Sequence, residues 1–426
     1  MIFYFFPSLL DLNKFYSFIA DENVILPTPG AAAEDSHRDT PDASTTFDND
    51  NHANISLDNY TYADENKYKI DNVNVGELFK KYQLKAAKQI EEKGCFLESD
   101  IQELLAINNI LLIKPGQASL LVSSIFNEAC ILSIRHEIKQ IFGTIDSADI
   151  HTDVKTITMT KAAKKLNDVL SDDDCKNYDD MIVIGIRNLL EILPKYKFNG
   201  LINENQAGCS YANPVLSPIF NNPDKRSHLH CKVNYFNRCF PFEVMAEVLE
   251  SNSKQPDFGG NVLEHSNWVG PVLVGEVKGE DRKDDVYMCL MDLFRIGSLS
   301  MESINHNKYK GFIGIQVIGM QVTFSISTLL SKSFYVMMEI CSITLPKDLT
   351  EIMSYFANVS DMMPVLQYYE NSFELINNLI SESHMDTIID AKKIGKLIKS
   401  TRDLKAFVDG LLETVKSLLS VLLLDD

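Results

Sequence analysis

The residues best suited to chemistry lie on one apolar segment, Pro271-Val272-Leu273-Val274-Gly275-Glu276-Val277-Lys278. Four positions, mostly β-branched or leucine, lead into Gly275. In a strand, alternate side chains share a face, so Glu276 and Lys278 point one way and Val277 the other. A carboxylate and an ammonium in such a segment must pair, bind an ion or face water, because an unpaired buried charge is costly. Asp257, in Gln255-Pro256-Asp257-Phe258-Gly259-Gly260, lies nineteen residues before Glu276. That interval holds a short strand, a turn and a second strand. Antiparallel pairing would set Asp257 beside Glu276. Two carboxylates with one lysine make a hard-oxygen Mg²⁺ site with a cation next to it.

Positioning these groups falls to the stretch from Gly200 to Pro346. It opens with a helical run interrupted at Pro214 and Pro218. Strand-like runs follow, including His228 to Tyr235 and Pro271 to Lys278. A helix is expected from about Asp284 to Ile304. It is apolar on nearly every side, through Val286, Leu290, Leu293 and Ile296 and through Tyr287, Met291 and Phe294, which implies burial from more than one direction. Two strands close the stretch. One alternates through Ile318, Met320, Val322, Phe324 and Ile326, and the other runs from Phe334 to Leu345. Trp268 falls in an apparent turn.

Pro256-Asp257 followed by Glu276-Val277-Lys278, within this order of elements, resembles the PD-(D/E)XK, or restriction-endonuclease-like, nuclease superfamily. The layout is similar to nuclease-like domains of large fungal families. Glu204-Asn205-Gln206 leads into Asn213-Pro214-Val215-Leu216-Ser217-Pro218-Ile219-Phe220, and Asp292-Leu293-Phe294-Arg295-Ile296-Gly297 matches the helix after the second strand. The resemblance implies an α+β fold: a restriction-endonuclease-like core of helix, strand meander, helix and strands, flanked by helical N- and C-terminal regions. It implies metal-dependent hydrolysis of phosphodiester bonds in DNA or RNA, and a link to mobile elements. Asp257 and Glu276 would then hold Mg²⁺ or Mn²⁺. Lys278 would orient the attacking water or stabilise developing charge, or would instead be a structural partner of Glu276 or Glu280. Glu204 would assist from the preceding helix, with Glu243 and Glu247 of Pro241-Phe-Glu-Val-Met-Ala-Glu-Val-Leu-Glu250 as competitors for that role. Arg295 would contact phosphate or pair with Asp292 one turn earlier.

The chain divides by composition into an apolar N-terminal stretch with an acidic, disordered linker (1–72), a helical region (73–198), the α+β core (199–346) and a C-terminal helical region (347–426). Expected helices in the second part cover Val75–Lys93, a capping-box start at Ser99 to Gln102, Ala118–Phe142 and Met181–Leu193. Against 40 Lys and Arg stand 59 Asp and Glu, a formal charge of −19. A field of that sign does not attract nucleic acid, so any nucleic-acid contact must be local. Eight cysteines without a CxxC pair point to reduced thiols in the nucleus or cytoplasm. His228, His230, Cys231 and Cys239 lack the usual zinc spacings and read as ordinary strand residues.

The opening Met-Ile-Phe-Tyr-Phe-Phe-Pro-Ser-Leu-Leu lacks the basic start of a secretory signal. The uncharged run Gly311–Ser331 alternates as a strand does, so no membrane span is expected. The C-terminal stripe Leu411, Leu412, Val415, Leu418, Leu419 and Leu422 suits core or a protein partner. A second function class therefore stands beside the nuclease: a catalytically inactive member of the same fold acting as a protein-interaction module.

Overall fold

Helices form where apolar residues recur at helical spacing and a polar cap stops the chain from fraying. Helix α1 (Val75–Lys93) buries Val75, Phe79, Tyr82, Ala86 and Ala87. In this computed structural model the described residues are 68–93, 97–143, 178–221, 227–231, 256–264, 267–331 and 333–374. They fall within one unit, Leu57–Asp149 with Met159–Asp426; the other unit, Met1–Ser56 with Ile150–Thr158, lies outside them. Also outside are the N-terminal apolar stretch, nearly all of the acidic linker, Glu243 and Glu247 and the C-terminal leucine stripe.

A short hairpin of β1 (Lys69–Ile70) and β2 (Val73–Asn74) precedes α1. Helix α2 (Ile101–Ile107) follows a single 3₁₀ turn, Glu98–Asp100. The start is set by Asp100 rather than Ser99: its carboxylate accepts the Leu97 N–H at 3.0 Å and pairs with Lys93 at 2.8 Å. The expected single helix over 118–142 is two, α3 (Leu120–Ile125) and α4 (Glu128–Phe142). Ser119 and Asn127 each accept a backbone N–H three residues on, and a second N-cap needs a break before it. Helix α5 (Tyr178–Ile192) completes this region.

A π-helical stretch, Gln206–Ala212, runs straight into α6 (Asn213–Phe220), so the two prolines do not interrupt the helix. Pro214 occupies the first turn, where its missing N–H costs nothing. Pro218 cannot donate to the Pro214 carbonyl, and that oxygen instead accepts from Asn188 Nδ2 of α5 at 3.1 Å.

The core is a seven-stranded mixed sheet in the order β3-β9-β8-β7-β6-β5-β4. Its strands are β3 (Ile110–Ile113), β4 (Ser227–Cys231), β5 (Phe258–Glu264), β6 (Asn267–Lys278), β7 (Phe312–Ile318), β8 (Gln321–Ser331) and β9 (Phe334–Thr344). Pairs β6–β7 and β3–β9 are parallel and the others antiparallel. Trp268 lies within β6, not in a turn. The alternating run expected as one strand is a hairpin. Gly319, at φ +61, and Met320 form a two-residue turn that pairs Ile318 with Gln321. Strand β7 is buried on both faces, which hides it from an alternation test.

The sheet is covered on both sides. Helix α7 (Val286–Asn307), capped by Asp285, connects β6 to β7 and packs on them. Gly314 of β7 allows that approach, because a Cβ there would lie 2.5 Å from Ile296 Cγ2. On the opposite face, Phe220 of α6 meets Phe324 of β8, and Gly208 of the π-helical stretch sits over Val277. Helices α8 (Ile352–Asn358) and α9 (Met363–Ser372) follow β9, and Tyr369 of α9 packs on Phe220. The chain is thus α+β with a mixed multi-stranded sheet. Strand β3 ties the helical region 73–198 into the same sheet as the core. Among the described residues no helix is long and apolar enough to cross a membrane.

Candidate functional site

Strand β6 carries Glu276 and Lys278 on the face covered by α7. The odd-numbered side, with Val277, faces the π-helical stretch, as the strand period requires. Strand β5 runs antiparallel to β6 with Phe258 opposite Gly275, so Asp257 arrives beside Glu276. Asp257 Oδ2 accepts the Val277 N–H at 2.8 Å, extending the ladder by a side chain where β5 ends.

Glu204 comes from the other direction. Asn203 and Gln206 form a reciprocal capping box, with Gln206 N donating to Asn203 Oδ1 at 2.9 Å and Asn203 N to Gln206 Oε1 at 3.3 Å. That box starts the helical run with Glu204 in its first turn. A clip holds this start against the end of β6: Glu280 N donates to Ile202 O at 2.7 Å, and Ile202 N to Glu280 Oε2 at 3.0 Å. Lys347 Nζ closes the clip 2.8 Å from Glu280 Oε2. Burial works against the charge on Glu280, but Lys347 and the Ile202 N–H hold its carboxyl below the usual range.

Four carboxylates and two cations meet at the end of β6. Lys278 Nζ lies 2.6 Å from Asp292 Oδ2 and 4.0 Å from Glu204 Oε2. Arg295 Nη1 lies 3.1 Å from Glu276 Oε1 and 3.8 Å from Asp292 Oδ1. Lys278 thus pairs with Asp292 and Glu204, while Glu280 is taken by Lys347. Arg295 faces Glu276 more closely than the Asp292 expected from helical spacing. Helix α7 runs antiparallel over β6, which sets Ser303 Oγ against Pro271 O at one end and Asp292 against Lys278 at the other. The Arg295–Asp292 pair expected from helical spacing is present, but the closer partner of Asp292 is Lys278, which sequence reasoning did not foresee. Gln316, opposite Glu276 on β7, donates to Cys289 O of α7 at 2.6 Å.

The cluster grades from a buried floor to a wet rim. Glu276 is 2%, Asp292 3% and Lys278 6% exposed. Asp257 is half-buried, and the Glu204 side chain is 44% exposed. Burial pushes Glu276 well above the ordinary carboxylate range; Arg295 opposes this, and Asp257 and Asp292 add to it. Burial alone would lower the Lys278 amine, but the hydrogen bond and charge of Asp292, aided by Glu204 and Glu276, raise it.

Among the described residues no group of three or more His, Cys, Asp or Glu side chains is arranged for a metal ion. Mg²⁺, however, is ordinarily bound through one or two carboxylates, with water and substrate phosphate completing its shell. Asp257 and Glu276 are neighbouring carboxylates at the end of β6. Glu276 Oε1 is a buried oxygen that Arg295 approaches but does not engage in an aligned hydrogen bond. The four carboxylates also outnumber the two cations. His228 and His230 stack on β4 with ring centres 6.4 Å apart, and Cys231 faces Cys209 instead of joining them. No family model, curated protein or solved structure matches the chain.

Proposed function

We propose that this chain carries a restriction-endonuclease-like core and acts as a metal-dependent phosphodiesterase on DNA or RNA, in the nucleus or cytoplasm. The observation that carries the proposal is the convergence of Glu204, Asp257, Glu276 and Lys278, from three separated segments, at the end of β6. A buried carboxyl whose titration is shifted by burial and by specific charged neighbours is a candidate functional group.

Asp257 and Glu276 would hold Mg²⁺ or Mn²⁺, and the chemistry supplied there is polarisation of the scissile phosphate and acidification of a bound water. Lys278, kept protonated by Asp292, offers positive charge to the developing phosphorane oxygens. Glu204, at the exposed rim, accepts a proton from the attacking water or holds that water in line. Arg295 holds the Glu276 carboxylate and adds positive charge behind the phosphate. The strongly acidic chain gives substrate no long-range attraction, so binding must come from this local site.

A second reading has its own observation. Lys278 with Asp292 makes a buried ion pair and the buried Glu276 faces the partly exposed Arg295, so both groups catalysis would need are engaged. An inert site of this kind would leave the fold as a protein-interaction module. Incubation of the parent, Glu276→Gln and Lys278→Met with plasmid DNA, single-stranded DNA and RNA in Mg²⁺ or Mn²⁺ separates the two. Nicking or cleavage by the parent, lost by at least about a hundredfold in both variants, supports the enzyme, as expected when a preorganised charged group is removed. An inactive parent that stays folded on all three substrates supports the module.

A further inference from the structure

Two thiols outside the charge cluster face each other across the fold. Cys209 lies on the π-helical stretch and Cys231 closes β4, the edge strand of the sheet. Their Sγ atoms are 3.2 Å apart, and both residues are partly exposed. The approach is built into the packing. Cys231 pairs in register with Phe258 of β5. The residue before Cys209 is Gly208, where a Cβ would lie 3.5 Å from Val277 Cγ2 and 3.8 Å from the Phe258 ring. Phe258 therefore borders both segments, the helical stretch lying over its ring and β4 pairing with it along the backbone, with one thiol on each. A disulfide has an S–S distance of about 2.05 Å, so closure asks for about 1.1 Å of approach. Partial exposure lets a small oxidant reach the sulfurs.

We propose that Cys209 and Cys231 are a redox-active pair that forms a reversible disulfide with a hydroperoxide as oxidant. One thiolate attacks the peroxide O–O bond, giving a sulfenic acid and releasing hydroxide, which takes up a proton to become water. The second thiol then attacks that sulfur: the S–S bond forms, the S–O bond breaks and the second water leaves. In sum, two thiols are oxidised and one hydrogen peroxide is reduced to two waters. The bond ties together the two flanks of the charge cluster, because Glu204 opens the helical run bearing Cys209 and Asp257 directly precedes the residue paired with Cys231. The proposal stands on the thiol geometry and does not require the cluster to be catalytic.

The test is peptide mapping of the full-length chain without reductant, after treatment with equimolar hydrogen peroxide and capping of free thiols. The expected first product is a cross-linked peptide pair containing Cys209 and Cys231, with loss of two alkylatable thiols and full recovery after dithiothreitol. Cys209→Ser and Cys231→Ser should each remove that species, while Cys341→Ser leaves it intact. Oxidation of other cysteines with Cys209 and Cys231 still alkylatable would overturn the proposal. So would a first cross-link from Cys231 to Cys239, or stoichiometric zinc in the purified protein that shields both thiols until it is chelated. Because the parent chain gives the decisive map, a variant that fails to fold does not spoil the test.

Discussion

Replacing Asp292 with Asn keeps the volume and an acceptor oxygen but deletes the charge facing Lys278. In the parent, Lys278 Nζ is 2.6 Å from Asp292 Oδ2, and the two residues are 6% and 3% exposed. Afterwards the Val277 carbonyl still accepts from Nζ at 3.1 Å, and the remaining acid in ion-pair range is Glu204 at 4.0 Å, on a side chain 44% exposed and so well screened. Removing one partner from a buried ion pair costs about 3–5 kcal/mol. The retained hydrogen bond and Glu204 put this case at the low end, about 3 kcal/mol, or roughly a hundredfold in the folding constant. Urea unfolding of the parent, Asp292→Asn, Lys278→Met and the double variant measures it. The double variant should lose less than the sum of the singles, with a coupling of about 2 kcal/mol, as contacting residues show.

The pH dependence gives a second handle on the same pair. With Asp292 present, the folded Lys278 amine lies above its unfolded value despite the opposing effect of burial. That contribution is complete below the unfolded value of about 10.4 and is lost only as pH rises through the higher folded one. In Asp292→Asn burial acts with less opposition, so the deficit should shrink as pH approaches the lysine range. A deficit below about 1 kcal/mol with no coupling would refute the reasoning, since that is how solvent-screened surface pairs behave.

Three further outcomes are expected. Glu276 is held above the usual carboxylate range, mainly by burial, and must lose its proton to bind a cation. Stabilisation by Mg²⁺ or Mn²⁺ in a melting assay should therefore grow as pH rises from the ordinary glutamate value and should vanish in Glu276→Gln; a pH-independent shift would contradict it. Burial pushes the Glu302 carboxyl of α7 up to about 7. A raised carboxyl contributes stability below about pH 4.5 that is lost as pH climbs to about 7, so Glu302→Gln should be more stable than the parent at pH 8 and equal to it at pH 4, with equal stability at both pH values contradicting the assignment. Gly314→Ala would set a Cβ 2.5 Å from Ile296 Cγ2 and 2.6 Å from Ser325 Oγ, so urea unfolding should show a loss of about 1–3 kcal/mol, and no loss would mean that α7 lifts freely.

Much of the site was legible because it depends on short-range rules. The alternation of a strand puts Glu276 and Lys278 on one face whatever surrounds them, and nineteen residues are enough for an antiparallel neighbour that brings in Asp257. The bounds of α1 followed from apolar spacing, whereas β6 starts at Asn267, four residues before the expected Pro271, and α7 covers Val286–Asn307 where Asp284 to Ile304 was expected. Other elements were hidden for identifiable reasons. Strand β7 is buried on both faces and shows no alternation, and the Gly319-Met320 turn falls in phase with the pattern on either side, so two strands looked like one. Pro218 reads as a helix breaker unless Asn188, thirty residues earlier, is known to take up the freed carbonyl.

By itself, then, the sequence determined which residues share a strand face, the extent of α1 and which acids lie close enough along the chain to meet. Only the tertiary structure decided which charge faces which. The antiparallel passage of α7 over β6 gives Lys278 to Asp292 and Glu276 to Arg295, and the Glu280–Lys347 clip removes the partner that proximity along the chain would have chosen. It also recruited β3 to β9 from more than two hundred residues away and brought Cys209 against Cys231. Local periodicity is set by bonded geometry, whereas charge pairing and strand order depend on how whole elements cross, and no window of neighbouring residues carries that crossing.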